Sequence, residues 1–120
     1  MKEINLFIDD ERFPTFIWEE NKNFIIKRNY NETIEYLKSL NKSPIFISFD
    51  HDLWVMENWE IGKTGYDIVK WLVEYDIKNN WKYIPNNFRF NIHSMNPIGW
   101  KNIKDYINNY LKLKNNWFKF

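Results

Sequence analysis

The stretch SPIFISFDHDLW, residues 43–54, runs a β-branched and aromatic segment straight into Asp50, His51 and Asp52. Residues 43–49 are too short a run for a convincing helix and have Pro44 near their start, so the pattern predicts a strand. The D-H-D triplet at its exit is costly beside a core. Three ionisable groups in a row must be paired, solvated at a strand end, or gathered around a metal.

Towards the N-terminus, INLFI (4–8) has the same form: an apolar run ended by Asp9 and Asp10, as a buried strand opening into a loop would be. NFIIKRNY (23–30) reads as a second strand. FRFNIHS (88–94) alternates, with Phe88, Phe90 and Ile92 on one face and Arg89, Asn91 and His93 on the other. Between these lie helical patterns. NETIEYLKSL (31–40) offers Asn31 as N-cap with Ile34, Leu37 and Leu40 apolar. TGYDIVKWLVEY (64–75) has Thr64 as N-cap and Ile68, Trp71, Leu72 and Tyr75 on one side. NPIGWKNIKDYINNYLK (96–112) places Asn96 at the N-cap, Pro97 at the first helical position, and a stripe of Ile103, Tyr106, Ile107, Tyr110 and Leu111.

Strands that alternate with helices predict an α/β fold, a mostly parallel sheet flanked by helices, as a single domain over residues 1–120. In such sheets ligands sit outside the carboxyl ends of the strands. Asp9 and Asp10 end one strand, Asp50, His51 and Asp52 another, His93 and Ser94 a third. Both histidines of the chain fall at that edge.

Bulk properties narrow the classes. Seventeen basic against sixteen acidic residues leave a net charge of +1, which gives no bulk reason for a nucleic-acid or membrane partner. With no cysteine, disulfides, thiolate metal sites and cysteine nucleophiles are excluded. No apolar run approaches the roughly 20 residues that span a bilayer, and the start lacks a signal-peptide pattern, so a cytoplasmic setting is expected.

Several carboxylates in a partly desolvated cleft repel one another, and a divalent cation removes that problem. Oxygen ligands from Asp suit Mg²⁺ or Mn²⁺; added imidazole nitrogen would suit Mn²⁺, Fe²⁺ or Zn²⁺. A hard cation so held normally meets phosphate oxygens. His51 and His93 are candidate acid and base groups, since histidine titrates nearest neutral pH. Ser94, Asn96 and the first amides of the 96–112 helix offer donors for an anionic oxygen. Arg12 either grips a phosphate bidentately or pairs with Asp9, Asp10 or Glu11. Thr64 and Asp67 cap a helix start, with contact to the site as a second role. Trp71 and Trp100 read as packing residues. Trp54 and Trp59, in the loop 54–63, either stack a base or form a hydrophobic lid or dimer contact.

FIDDERFP (7–14), ISFDHDLW (47–54), TGYDIVKWLVE (64–74) and IHSMNPIGWKNI (92–103) together resemble, in order and spacing, the cyclic-phosphate processing receiver domains. The resemblance spans nearly the whole chain and implies a flavodoxin-like, receiver-like core. It implies that Asp9 and Asp10 lie near a Mg²⁺-type site and that Asp50 takes the place of the receiver's phospho-accepting aspartate. His51, Asp52, His93 and Ser94 match the residues that set this family apart from signalling receivers. Two departures stand out: Trp54 follows the leucine where many relatives have glycine, and no clear fifth strand with a lysine comes after IHS.

The expectation is a metal-dependent phosphoesterase acting on a cyclic phosphate or nucleotide-derived phosphoester, free or carried on an RNA end. Asp9, Asp10 and Asp50 would hold Mg²⁺ or Mn²⁺. His51 and His93 would serve as acid and base, with Asp52 orienting one of them, and Arg12, Thr64, Ser94 and Asn96 would contact the phosphate. The rival is a non-catalytic module that senses or sequesters a nucleotide. A phospho-accepting signalling receiver ranks last, because His51 and Asp52 crowd the acceptor. Oligomeric state is not encoded in any of these patterns.

Overall fold

The short apolar runs rich in β-branched and aromatic residues become strands, and the runs ending at Ile8 and Phe49 are each followed by a buried aspartate, Asp9 and Asp50. The computed structural model describes residues 4–10, 24–50, 56–57, 60–61, 64–93 and 96–117. Along the chain these form β1 (Asn5–Ile8), β2 (Phe24–Lys27), α1 (Tyr30–Lys38), β3 (Phe46–Phe49), β4 (Met56–Glu57), β5 (Glu60–Ile61), α2 (Gly65–Lys78), β6 (Arg89–Ile92) and α3 (Pro97–Trp117).

β2, β1, β3 and β6 lie in that order in one sheet, and each neighbouring pair is parallel. This is the flavodoxin-like receiver arrangement, and its strand order reverses between β1 and β3. Among the described residues no fifth strand follows β6; α3 comes directly after it. Residues 54–63, read as a loop, contain a small antiparallel ribbon in which Met56 faces Ile61 and Glu57 faces Glu60. Among the described residues no helix is long and apolar enough to cross a membrane.

Alternation divides the sheet into two faces. Leu6, Ile8, Ile47 and Phe49 point to one and are fully buried against Leu37 of α1, Ile68 and Leu72 of α2, and Ile103 and Ile107 of α3. Burying each of these side chains is worth roughly 1.5–3 kcal/mol, so this face holds the helices to the sheet. The opposite face carries Phe7, Ser48 and Asn91 in one cross-strand row, since Phe7 pairs with Ser48 and Ser48 with Asn91.

Helix starts show where local chemistry decided. α1 is capped by Asn29, not Asn31: Asn29 is extended (φ −152°, ψ 174°) and its side chain accepts from the Glu32 amide at 2.9 Å. The Glu32 carboxylate reaches back to the Arg28 amide at 3.2 Å, which fixes the start two residues earlier than the sequence pattern suggested. α2 begins at Thr64 as expected, with a capping box closed by Asp67. α3 begins after Asn96, whose Oδ1 accepts from the Gly99 amide at 2.9 Å.

α2 and α3 both outrun their expected ends, and the buried Asp76 explains it. Its carboxylate accepts from the Tyr83 and Ile84 amides at 2.9 and 2.8 Å, from the Tyr110 hydroxyl, and from Lys114 Nζ at 3.0 Å. Lys114 also donates to the Ile84 carbonyl at 2.7 Å. Asn80 and Trp81 turn the chain there with left-handed φ of 59° and 61°, the Trp81 amide donating to the Asp76 carbonyl at 2.8 Å. Trp71 packs against the core as expected and stacks on Tyr75 at 4.6 Å. Trp100 does not: it is 38% exposed, with the Lys104 ammonium 4.7 Å from its ring centroid.

Candidate functional site

Sheet register builds the site. Ile8 pairs with Lys27 and Phe49, and Phe49 pairs with Ile92, so the next residues, Asp9, Arg28, Asp50 and His93, form one row across the carboxyl edge. Three backbone bonds carry the ladder into that row: Asp9 N–H to the Lys27 carbonyl at 3.1 Å, Asp50 N–H to Ile8 at 3.0 Å, and His93 N–H to Phe49 at 2.9 Å. These residues are therefore positioned by main-chain pairing. β1 and β3 flank the reversal of strand order, where α/β sheets bind ligands.

Asp9 and Asp50 are buried, and with His93 they offer one ligand atom each, all within 4.8 Å of one another. His93 Nε2 lies 2.9 Å from Asp9 Oδ2, and its Nδ1 lies 2.7 Å from Ser48 Oγ. Its ring stacks on Phe7 with centroids 4.5 Å apart and planes 3° from parallel. Asn91 Nδ2 donates to Ser48 Oγ at 3.4 Å. Arg28 Nη1 donates to the Asp9 carbonyl at 3.1 Å, bringing a guanidinium to the same edge. Asp10 follows Asp9 and is half-buried.

The structure thus brings together Asp9, Asp50 and His93, from three separate strands, with Asp10 adjoining. Thr64 and Asn96 stand at helix starts, and the side chain of each is engaged there: Thr64 Oγ1 with Asp67, Asn96 Oδ1 with the Gly99 amide. In these bonds both side chains serve as helix caps. His51, Asp52, Arg12 and Ser94, and the loop residues Trp54 and Trp59, lie outside the described residues.

Three residues at this edge escaped the sequence reading: Ser48, Asn91 and Arg28. Ser48 had a signal, a hydroxyl in the middle of an otherwise apolar strand, and Arg28 had one too, as the first residue after β2. Neither meant anything without the register that sets them beside β1 and β6.

The arrangement can hold a hard divalent cation. Two buried carboxylates from neighbouring strands repel unless a positive charge lies between them, and oxygen donors suit Mg²⁺ or Mn²⁺. Compared with known proteins, residues 4–109 match the family model described as Cyclic-phosphate processing Receiver domain. No curated protein and no solved structure gives a match. The match covers most of the chain, and the chain belongs to that family.

Proposed function

With membership of the cyclic-phosphate processing receiver family as the premise, we propose that this chain is a metal-dependent phosphoesterase. Its substrate would be a cyclic phosphate or another nucleotide-derived phosphoester, free or at an RNA end. The observation that carries this reading is the convergence of Asp9, Asp50 and His93 where the strand order reverses. Two buried carboxylates with Asp10 adjoining fit Mg²⁺ first and Mn²⁺ second.

A cation bound there would polarise a phosphoryl oxygen and lower the pKa of a coordinated water. Asp9 and Asp50 would hold it, with Asp10 completing the acidic set. Water attacks phosphorus, a P–O bond forms, and one ring ester bond breaks. The water gives up one proton and the departing alkoxide takes one up, leaving a monoester beside a new hydroxyl. His51 is the group assigned to that proton transfer, with Asp52 orienting it. Arg12 and Ser94, and Arg28 just after β2, are assigned to the phosphate oxygens, which planar guanidinium donors match well. Thr64 and Asn96 cap the starts of α2 and α3.

A second reading is a module that binds a nucleotide without turning it over. One observation favours it: both ring nitrogens of His93 already have protein partners, which leaves a single histidine for proton transfer. A ³¹P NMR time course with 2′,3′-cyclic nucleotides and cyclic dinucleotides, in Mg²⁺, Mn²⁺ or EDTA, separates the two. A metal-dependent monoester resonance is the expected result. Shifted ligand signals without product would establish the binding module instead, and spectra unchanged in every condition would overturn both for these substrates.

A further inference from the structure

We propose that His93 is a positioning residue that acts through Asp9, and that Ser48 and Asn91 act through His93. The proposal rests on the reading of Asp9 as a cation ligand, and it differs from the sequence expectation of His93 as an acid or base meeting the substrate.

The direction of the hydrogen bonds carries the argument. An ionised carboxylate only accepts, so the 2.9 Å contact places the proton on His93 Nε2, donated to Asp9 Oδ2. Nδ1, the other ring nitrogen, is hydrogen-bonded to Ser48 Oγ at 2.7 Å, which ties the ring down at its second end. Ser48 Oγ in turn accepts from Asn91 Nδ2 at 3.4 Å. The contacts run in one line, Asn91–Ser48–His93–Asp9, from the middle of β6 and β3 to the carboxyl edge. The parallel Phe7 ring at 4.5 Å fills the face of the imidazole and opposes its rotation.

Such a ring does not reach a substrate. Its side chain is 8% exposed, and its two nitrogens point along the sheet into protein partners. Its effect is to hold the Asp9 carboxylate by Oδ2 and so fix the orientation in which it would ligate the cation. One-oxygen ligation suits the strict octahedron of Mg²⁺, which a two-oxygen bite distorts. Partners that orient a ligating carboxylate in this way are commonly worth about 10–100-fold in metal affinity.

Two measurements on the full chain test this. In metal-free protein, ¹⁵N NMR of the imidazoles should show a proton on His93 Nε2, whether or not Nδ1 also carries one, with assignment by His93→Gln. A proton on Nδ1 and none on Nε2 overturns the proposal. Mn²⁺ binding followed by EPR should weaken about 10–100-fold in Ser48→Ala and recover in Ser48→Thr, which restores the hydroxyl. Electron spin-echo modulation of the bound Mn²⁺ should show no directly coordinated nitrogen. Unchanged affinity in Ser48→Ala, or a coordinated ¹⁴N, overturns the positioning role while leaving the metal reading intact. Failure of the wild-type protein to bind Mn²⁺ sinks the metal reading by itself, and the imidazole tautomer then still decides whether the chain of bonds runs as described.

Discussion

At the scale of single residues, Asp50 is the sharpest test of the proposed cation site. Its place is set by the backbone bond to Ile8 at 3.0 Å, so its carboxylate can be altered without moving the strand. Asp50→Asn keeps the shape and removes the charge. Mn²⁺ affinity measured by EPR should fall by about 100-fold or more, at the top of the range seen for lesser, orienting partners. Circular dichroism should show the fold retained. Wild-type affinity in Asp50→Asn would remove Asp50 from the ligand set. The acidic residues were readable in the sequence because ionisable groups directly after apolar runs violate the usual burial pattern. Ser48 and Asn91 were not, because each is an ordinary strand residue until the register sets them side by side.

Helix ends give the corresponding test at the scale of elements. The Thr64 amide donates to Asp67 Oδ2 at 2.8 Å, and the Thr64 hydroxyl takes part in the same capping box. If capping is its whole role, Thr64→Ala should lower stability by about 1 kcal/mol, read from denaturant unfolding. The affinity of the still-folded protein for a phosphoester ligand should not change. An affinity loss larger than the stability loss would return Thr64 to the phosphate-contacting set. The helices and the strands of the parallel sheet could be read from period and punctuation, as at Thr64 and at Asn96 with Pro97, whereas the β4–β5 ribbon could not. The start of α1 could not: Asn29 and Asn31 are both good caps, and only the reach of Glu32 back to Arg28 and Asn29 chooses between them. The helix ends depended on Asp76, which looks like a surface residue in the sequence until residues 83, 84, 110 and 114 converge on it.

Across the whole molecule, the two ends of the sheet carry separate tasks. The carboxyl edge gathers Asp9, Asp50 and His93, whereas Asp76, near the end of α2, joins α3 to the segment entering β6. The buried Lys114 is bound to Asp76 and the Ile84 carbonyl. Burial, and then the hydrogen bond to Asp76, push the Tyr110 phenol above its ordinary value, and burial does the same to Tyr83. Linkage gives the sign of the effect on stability. Below about pH 10 both states keep these protons; above it the unfolded chain releases them while the native protein holds them, so stability falls as pH rises. Thermal melts from pH 8 to 11 should therefore decline, and Tyr110→Phe should make the decline shallower. Lys114→Met leaves the Asp76 carboxylate buried without its cation and should cost about 3–5 kcal/mol, with Mn²⁺ affinity of the folded protein unchanged. A metal affinity that falls with Lys114→Met would mean that the two edges are coupled through the sheet, because no shared side-chain bond links them among the described residues.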